Sequence, residues 1–301
     1  MNRRVSSSVV VLGALALLAM RAAFSAQVHC ASPEQVADRF VIAVARTDQD
    51  ALTALLGDDY RTLLPVDAID AKTVEQFLDA WSTFHGLVAV NDSERLLAAG
   101  DKGWTLPIPI VRDDEGWRFD VQAGSDMLRT RRIGRNELAA MQAALAYHDA
   151  QIEYASKDRD GDGVLEYAQR FVSDAGTQDG LYWDTQPGQP ESPLGPLFAD
   201  KVPTDAYHGY HYRILTAQGE HAPGGAADYL SAGKLTGGFA LVAWPAAYGD
   251  SGVMSFLMGP SGTLYQADLG ADGAQVASTL TAFDPDERWS QVPAEFTDAA
   301  P

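Results

Sequence analysis

A run of alternating aspartates at residues 158–163 constrains this chain more than any other stretch. Asp158, Asp160 and Asp162 are followed at once by Gly163. Carboxylates at alternate positions before a glycine form the first half of a calcium-binding loop, because the glycine allows the bend that turns the oxygens to one centre. The alternative is a solvated acidic turn between two helices, since Asp and Gly are common turn residues. The strict alternation favours the ion site.

The residues after Gly163 complete the predicted ligand set. The Val164 carbonyl falls at the seventh position of the loop, and Glu166, at the ninth, is the fourth carboxylate if the loop is shortened. In a full twelve-residue loop the last ligand would be Gln169, which is neutral and a weak substitute for glutamate. The missing charge predicts weak binding, with a Kd on the order of 10⁻⁴ to 10⁻³ M, which suits a structural Ca²⁺ outside the cytoplasm.

The amino terminus has the layout of a secretory signal peptide. Arg3 and Arg4 precede an apolar run at 9–20, and residues 23–25 form a small-x-small cleavage site. The run is shorter than the roughly 20 residues that a membrane span needs, although an uncleaved anchor is the alternative. We therefore expect removal of residues 1–25, a periplasmic or secreted protein, and no membrane span after processing. The single cysteine, Cys30, excludes an internal disulfide, so calcium would be one way to stabilise the exported fold.

The charge balance narrows the classes of partner. The chain has 22 basic and 41 acidic residues, a formal net charge of −19, and loss of the three arginines of the leader would leave −22. Such a surface repels nucleic acid phosphates and anionic lipid headgroups, so we expect no nucleic acid partner. An ordinary apolar content of 46% predicts a folded protein and not a disordered one.

The predicted fold class is α+β in two domains, at 26–130 and 131–301. Ser32 caps a first helix that begins with Pro33, with Gln35 able to reach back to the cap. Shorter helices are predicted at 48–56 and around 74–81. The period then changes to two, which predicts a strand at 104–110 and a hairpin partner at 117–121.

The second domain is predicted to pack a long helix on an antiparallel sheet. The helix is expected at 135–157, with Leu138, Met141, Leu145, His148 and Ile152 facing the core. A short helix at 167–172 and a long Gly/Pro-rich loop at 174–203 follow. Strands are expected at 210–214 and 239–244, and a hairpin at 253–268.

Several blocks resemble an uncharacterised bacterial exported family, catalogued as domain of unknown function 2950. They include RIGRNELAA (132–140), EYASKDRDGDGVLEYAQRF (153–171), YHGYHYRILTAQG (207–219) and GGFALVAWPAAYG (237–249). The resemblance covers nearly the whole chain after the leader and implies no activity. The second domain is also weakly similar to the periplasmic domain of pilins and pseudopilins. It lacks their long apolar stem and cleavage motif, so pilus-like polymerisation is not expected.

Two classes of function follow from these features. The first is a non-enzymatic exported module, stabilised by calcium, that binds an envelope protein or a small ligand. The alternative is a periplasmic hydrolase with a site around His208, His211 and His221, since histidine serves as a base or metal ligand. On a strand, positions 208 and 211 point to opposite faces, which weakens a shared site. No nucleophile elbow, His-Glu-x-x-His pair or nucleotide-binding loop occurs, so no catalytic residues are assigned and the binding module is favoured.

Overall fold

A computed structural model describes residues 27–58, 60–63, 70–185, 188, 191–195 and 206–297, with the backbone only at 62 and 63. The predicted leader at 1–25 lies outside these residues. The chain divides into two compact units, Met1–Ser125 and Asp126–Pro301. Within the described ranges, no helix has both the length and the apolar character needed to cross a bilayer.

The described part of the first unit combines four helices with a meander. The helices are α1 (Pro33–Ala45), α2 (Gln49–Leu56), α3 (Tyr60–Leu63) and α4 (Ala71–Thr83). The strands are β1 (His85–Asn91), β2 (Glu94–Ala99), β3 (Ile110–Asp113) and β4 (Gly116–Phe119), paired antiparallel in that order. Helix α1 begins at Pro33 with Ser32 as its cap, as predicted, and Ser32 accepts the Gln35 N–H. The Gln35 side chain reaches one residue beyond the cap and accepts the Ala31 N–H at 3.3 Å.

A core of aliphatic and aromatic side chains fills the space between these helices and the sheet. Phe40 of α1 meets Phe119 of β4 edge to face at 5.2 Å, and Leu97 and Ile110 are fully buried. Two details of the prediction are wrong. Strands β1 and β2 were not foreseen, and the predicted strand at 104–110 is irregular up to β3. Before β3, only the first residues of this segment pair with β2, through a bridge between Thr105 and Ala98, and the prolines at 107 and 109 lack the backbone donors that would extend this pairing.

The second unit is built on one long helix. Helix α5 (Val121–Tyr154) begins fourteen residues before the predicted start at 135, inside the first unit. Its buried side differs from the predicted stripe, because Leu138 and Ile152 are exposed. Of the predicted stripe, Met141 is buried and Leu145 packs partly buried against the core. The other buried positions of α5 in the second unit are Ala140, Ala143, Ala144, Tyr147, Ala150, Gln151 and Tyr154. Small alanines allow the helix to approach its neighbours closely, and a pattern of large apolar residues misses that face.

The predicted antiparallel sheet is present. It contains β5 (Tyr210–Leu215), β10 (Ala240–Pro245), β11 (Met254–Met258), β12 (Leu264–Asp268) and β14 (Ser290–Gln291), in the order β14-β12-β11-β10-β5. Strand β10 is paired on both sides and almost wholly buried, as its apolar run predicted. The Tyr147 hydroxyl of α5 donates to the Ala240 carbonyl at 3.1 Å, so the helix packs against the sheet. The α+β class and the long helix are therefore confirmed.

Shorter elements surround this sheet. They are β6 (Ala217–Gln218), β7 (Ala227–Asp228), β8 (Leu230–Ser231), β9 (Lys234–Leu235), β13 (Ala282–Phe283), α6 (Gly273–Thr279) and α7 (Ala294–Thr297). Strands β8 and β9 form a hairpin. The helix predicted at 167–172 is wrong. Tyr167 instead forms a bridge with Leu235 of β9, and Val172 one with Tyr182.

Candidate functional site

The aspartate loop lies between the end of α5 and the extended segment that begins at Tyr167. Its carboxylates accept hydrogen bonds from backbone N–H groups of the same loop. Asp158 accepts the N–H groups of Gly161 and Gly163, each at 2.8 Å, and Asp162 accepts the Val164 N–H at 2.9 Å. Gly161 and Gly163 have φ values of 75° and 88°, which favour glycine. The tight turn predicted from the sequence therefore forms.

The three aspartates come together as predicted. One carboxylate oxygen from each of Asp158, Asp160 and Asp162 lies within 4.8 Å of the others. Across the described ranges this is the one group of three or more His, Cys, Asp or Glu side chains with such spacing. All three residues are exposed. The arrangement can hold a hard cation, for which carboxylate oxygens are the preferred ligands.

A lysine that the sequence analysis missed lies against this cluster. The Lys234 ammonium contacts the carboxylates of Asp160, Asp162 and Glu166 at 2.9, 2.5 and 3.1 Å. Hydrogen bonds to these carboxylates, that of Asp162 first, raise the pKa of Lys234, and the bond from Lys234 lowers the pKa of Asp160. Lys234 follows the turn of the β8–β9 hairpin, 74 positions beyond Asp160. Nothing in the local pattern signals that pairing.

The other predicted ligands have different surroundings. Glu166 is only 18% exposed and shares Lys234 with the aspartates. The Val164 N–H is bound to Asp162, and its side chain is exposed. Gln169, the weak twelfth position, donates instead to the Gly233 carbonyl at 2.9 Å. Together with the bond from the Tyr167 N–H to the Leu235 carbonyl, these contacts join the loop region to the β8–β9 hairpin.

A polar cleft adjoins the loop. Its volume is about 720 Å³, and Asp160 and Glu166 belong both to its lining and to the aspartate loop. The other lining residues are Tyr154, Arg159, Tyr167, Gln169, Arg170, Gly176, Thr177, Gln178 and Asp179. Burial, and then the charge of Glu166, raises the pKa of Tyr154 to about 12, so this hydroxyl stays protonated and donates to the Gln178 carbonyl. No motif in the sequence indicates this cleft.

The three histidines of the alternative prediction have separate neighbours. The ring of His208 lies against Tyr207 and that of His211 against Trp244, with centroids 4.3 and 5.7 Å apart. His221 is paired with Asp284 at 3.1 Å on the surface, and this contact raises the pKa of His221. These histidines form no ligand cluster within the described part of the chain.

Two further residues are structural. His148 is a hydrogen-bonded boundary residue, as predicted: its Nε2 lies 3.2 Å from the Pro260 carbonyl oxygen. Cys30 is buried, and its backbone pairs with that of Trp117 in both directions at 2.8 Å. Neither residue contributes to the loop or to the cleft.

Comparison with known proteins agrees with the resemblance seen in the sequence. No curated protein matches the chain, and no solved structure does. A protein-family model described as "Protein of unknown function (DUF2950)" matches residues 27–292. That match includes the aspartate loop, Lys234 and every residue of the cleft. The chain therefore belongs to the DUF2950 family.

Proposed function

We propose that this chain is an exported, non-enzymatic binding module in which a calcium loop supports one wall of a ligand cleft. The observation that carries the proposal is that Asp160 and Glu166 belong both to the aspartate loop and to the lining of the cleft. A cation bound among the aspartates would fix the position of these two side chains. The loop would then act on ligand binding through the cleft wall.

The chemistry of the loop suits Ca²⁺. Calcium takes six to eight oxygen ligands and accepts flexible geometry. Asp158, Asp160 and Asp162 would supply carboxylate oxygens, with the Val164 carbonyl, Glu166 and water completing the shell. Lys234 already neutralises part of this charge, so Ca²⁺ has to displace its ammonium. That competition is a second reason, besides the neutral Gln169, for weak binding.

The test of calcium binding is a thermal melt of the leader-free chain in EDTA, in millimolar CaCl₂ and in millimolar MgCl₂. Ligand that binds only the folded state raises its stability by mass action, so CaCl₂ should raise the Tm and MgCl₂ should raise it less. Asp162→Ala should abolish the rise, whereas Asp228→Ala, an exposed aspartate outside the loop, should keep it. Equal melting of the unaltered chain in all three solutions would contradict the calcium site.

Export is tested on the full-length chain in a Gram-negative host. The proposal predicts recovery in the periplasmic or culture fraction, with an amino terminus near residue 26 by mass spectrometry. Replacing Arg3 and Arg4 with glutamate should retain the precursor in the cytoplasm. Recovery of the unaltered chain in the membrane fraction with Met1 retained would favour the uncleaved anchor.

A further inference from the structure

The charged side chains that line the cleft are unevenly paired. Ion pairs with other described residues engage Asp160, Glu166, Arg170 and Asp179. Lys234 serves the first two, and Arg170 lies 3.2 Å from Asp179. Arg159 is different: among the described residues, no carboxylate oxygen lies within 4.0 Å of its guanidinium.

The Arg159 guanidinium is nevertheless held in place. It lies over the rings of Tyr154 and Trp183, with its central carbon 5.4 and 5.2 Å from their centroids. Its Nε donates to the Tyr154 carbonyl at 3.3 Å, and Nη2 makes a longer contact of 3.5 Å to the Glu153 carbonyl. Stacking and these bonds fix the plane of the group, while Nη1 makes no hydrogen bond to a described residue. A fixed, planar guanidinium is suited to a carboxylate that binds through two oxygens.

The same cleft contains a partly engaged carboxylate. Glu166 contacts Lys234 through Oε1, and its Oε2 makes no hydrogen bond to a described residue. The side chain is only 18% exposed, so its charge is less screened than that of the surface aspartates. An ammonium group of a ligand would complete the environment of this oxygen.

We propose that the cleft binds a small zwitterion, an amino acid or short peptide, with its carboxylate on Arg159 and its ammonium on Glu166. This inference rests on the proposed binding function and names the ligand class for that site. The cleft volume of about 720 Å³ falls within the range of roughly 300–1,000 Å³ typical of small-ligand sites. The amides of Gln169 and Gln178 and the hydroxyl of Thr177 line the same space and suit the peptide groups of such a ligand.

The probe is tri-alanine, titrated by calorimetry into the leader-free chain with calcium present. Three relatives of the probe separate its two charges: L-alanine keeps both, N-acetyl-tri-alanine lacks the ammonium, and tri-alanine amide lacks the carboxylate. Tri-alanine or L-alanine should bind. Each blocked peptide should bind more weakly than tri-alanine, on the order of tenfold or more, since a charged hydrogen-bonded contact is lost.

The protein variants test the two named side chains. Arg159→Gln should weaken tri-alanine on the order of tenfold and leave the weak binding of tri-alanine amide unchanged. Glu166→Gln should also weaken tri-alanine on the order of tenfold, and it should leave the weak binding of N-acetyl-tri-alanine unchanged. Arg288→Gln, which removes a surface arginine paired with Asp286, is the matched control and should bind as the unaltered chain does. If Arg159→Gln fails to fold, Arg159→Lys keeps the charge and should still lose the two-oxygen contact.

The outcomes are separable from those of the calcium test. A calcium-dependent Tm with no binding of tri-alanine or L-alanine overturns the zwitterion site alone. Equal binding of the blocked and free peptides, or of the Arg159 variants and the unaltered chain, also overturns it. Tri-alanine binding that is independent of calcium would keep the zwitterion site and contradict the support by the loop.

Discussion

Gln151 pairs with both peptide groups of Ala168. Its side-chain Nε2 donates to the Ala168 carbonyl at 2.8 Å, and its Oε1 accepts the Ala168 N–H at 2.8 Å. Gln151 is fully buried, and Nε2 also donates to the Tyr147 hydroxyl at 3.0 Å. The Gln151 side chain thus attaches the extended segment after the aspartate loop to α5. It donates to a backbone carbonyl and accepts from a backbone N–H, as a paired strand would. These bonds explain why residues 167–172 are not helical.

The first prediction concerns this pair. Gln151→Leu keeps the volume but leaves the N–H and carbonyl of Ala168 unpaired. Each buried, unsatisfied polar group costs roughly 1–3 kcal/mol, so with two such groups the free energy of unfolding should fall by about 2–6 kcal/mol. Urea unfolding followed by far-UV circular dichroism measures the change. Gln142→Leu, at an exposed position of α5, should change stability by less than about 0.5 kcal/mol; equal losses in the two variants would show that the pair has no special role.

The second prediction concerns Lys234. Lys234→Met removes the ammonium that neutralises Asp160, Asp162 and Glu166, so the calcium-free protein should melt at a lower temperature. The same change removes the competitor of Ca²⁺, so the calcium-induced rise in Tm should exceed that of the unaltered chain. Differential scanning fluorimetry across a calcium titration measures both effects.

Lys157→Met is the control for the loss of one positive charge near the loop. Lys157 is exposed and precedes Asp158 directly. It should leave the calcium-free Tm nearly unchanged, because its side chain lies in solvent and its charge is screened. A calcium response of Lys234→Met no larger than that of Lys157→Met would exclude competition between the ammonium and the metal.

The third prediction concerns Arg213 of β5, whose guanidinium donates to the carbonyls of Ala277, Ser278 and Leu280. These carbonyls lie at the carboxyl end of α6, where helices leave backbone acceptors without partners. Arg213→Met should lower the free energy of unfolding by about 1–3 kcal/mol, since the freed acceptors are partly buried. Arg213→Lys should restore only a fraction, because one ammonium cannot reach three separate carbonyls as a fork does. Full recovery by lysine in chemical denaturation would show that charge alone matters.

The fourth prediction is a pH dependence in the first unit. The hydrogen bond from Arg118, at 2.8 Å, lowers the pKa of Asp113 to about 2 from its usual value near 3.8. A carboxyl with a lowered folded-state pKa stabilises the fold above the unfolded value and loses that contribution as pH falls toward the folded value. The stability difference between the unaltered chain and Asp113→Asn should therefore shrink as the pH falls from 4 to 2.

Urea unfolding at a series of pH values measures that difference. Asp114→Asn, at the neighbouring exposed position, provides the control, because it removes the same charge without the Arg118 contact. The Asp114 variant should show no comparable change between pH 4 and 2. A constant difference for Asp113→Asn down to pH 2 would contradict the assigned role of Arg118.

Features that depend on neighbouring residues were predictable from the sequence. The cap at Ser32, the hairpin at 253–268 and the turn at Gly163 each follow from side chains a few positions apart. The same is true of the convergence of Asp158, Asp160 and Asp162, because alternate residues in a tight loop face one centre. Short-range hydrogen bonding and backbone conformation determine these features before any packing occurs.

Tertiary structure alone decided the surroundings of the loop. Lys234 reaches the aspartates from a hairpin that is distant along the chain, and Gln151 meets Ala168 from near the carboxyl end of α5. The buried side of α5 is likewise determined by its contact with the sheet. Alanines and Tyr147 of the helix are buried there, whereas Leu138 is exposed. Contacts of this kind depend on which surfaces meet after folding. A periodic pattern in one segment carries no information about the polar partner that another segment supplies. The Lys234 ammonium at the loop, and the cleft beside it, therefore became visible only in three dimensions.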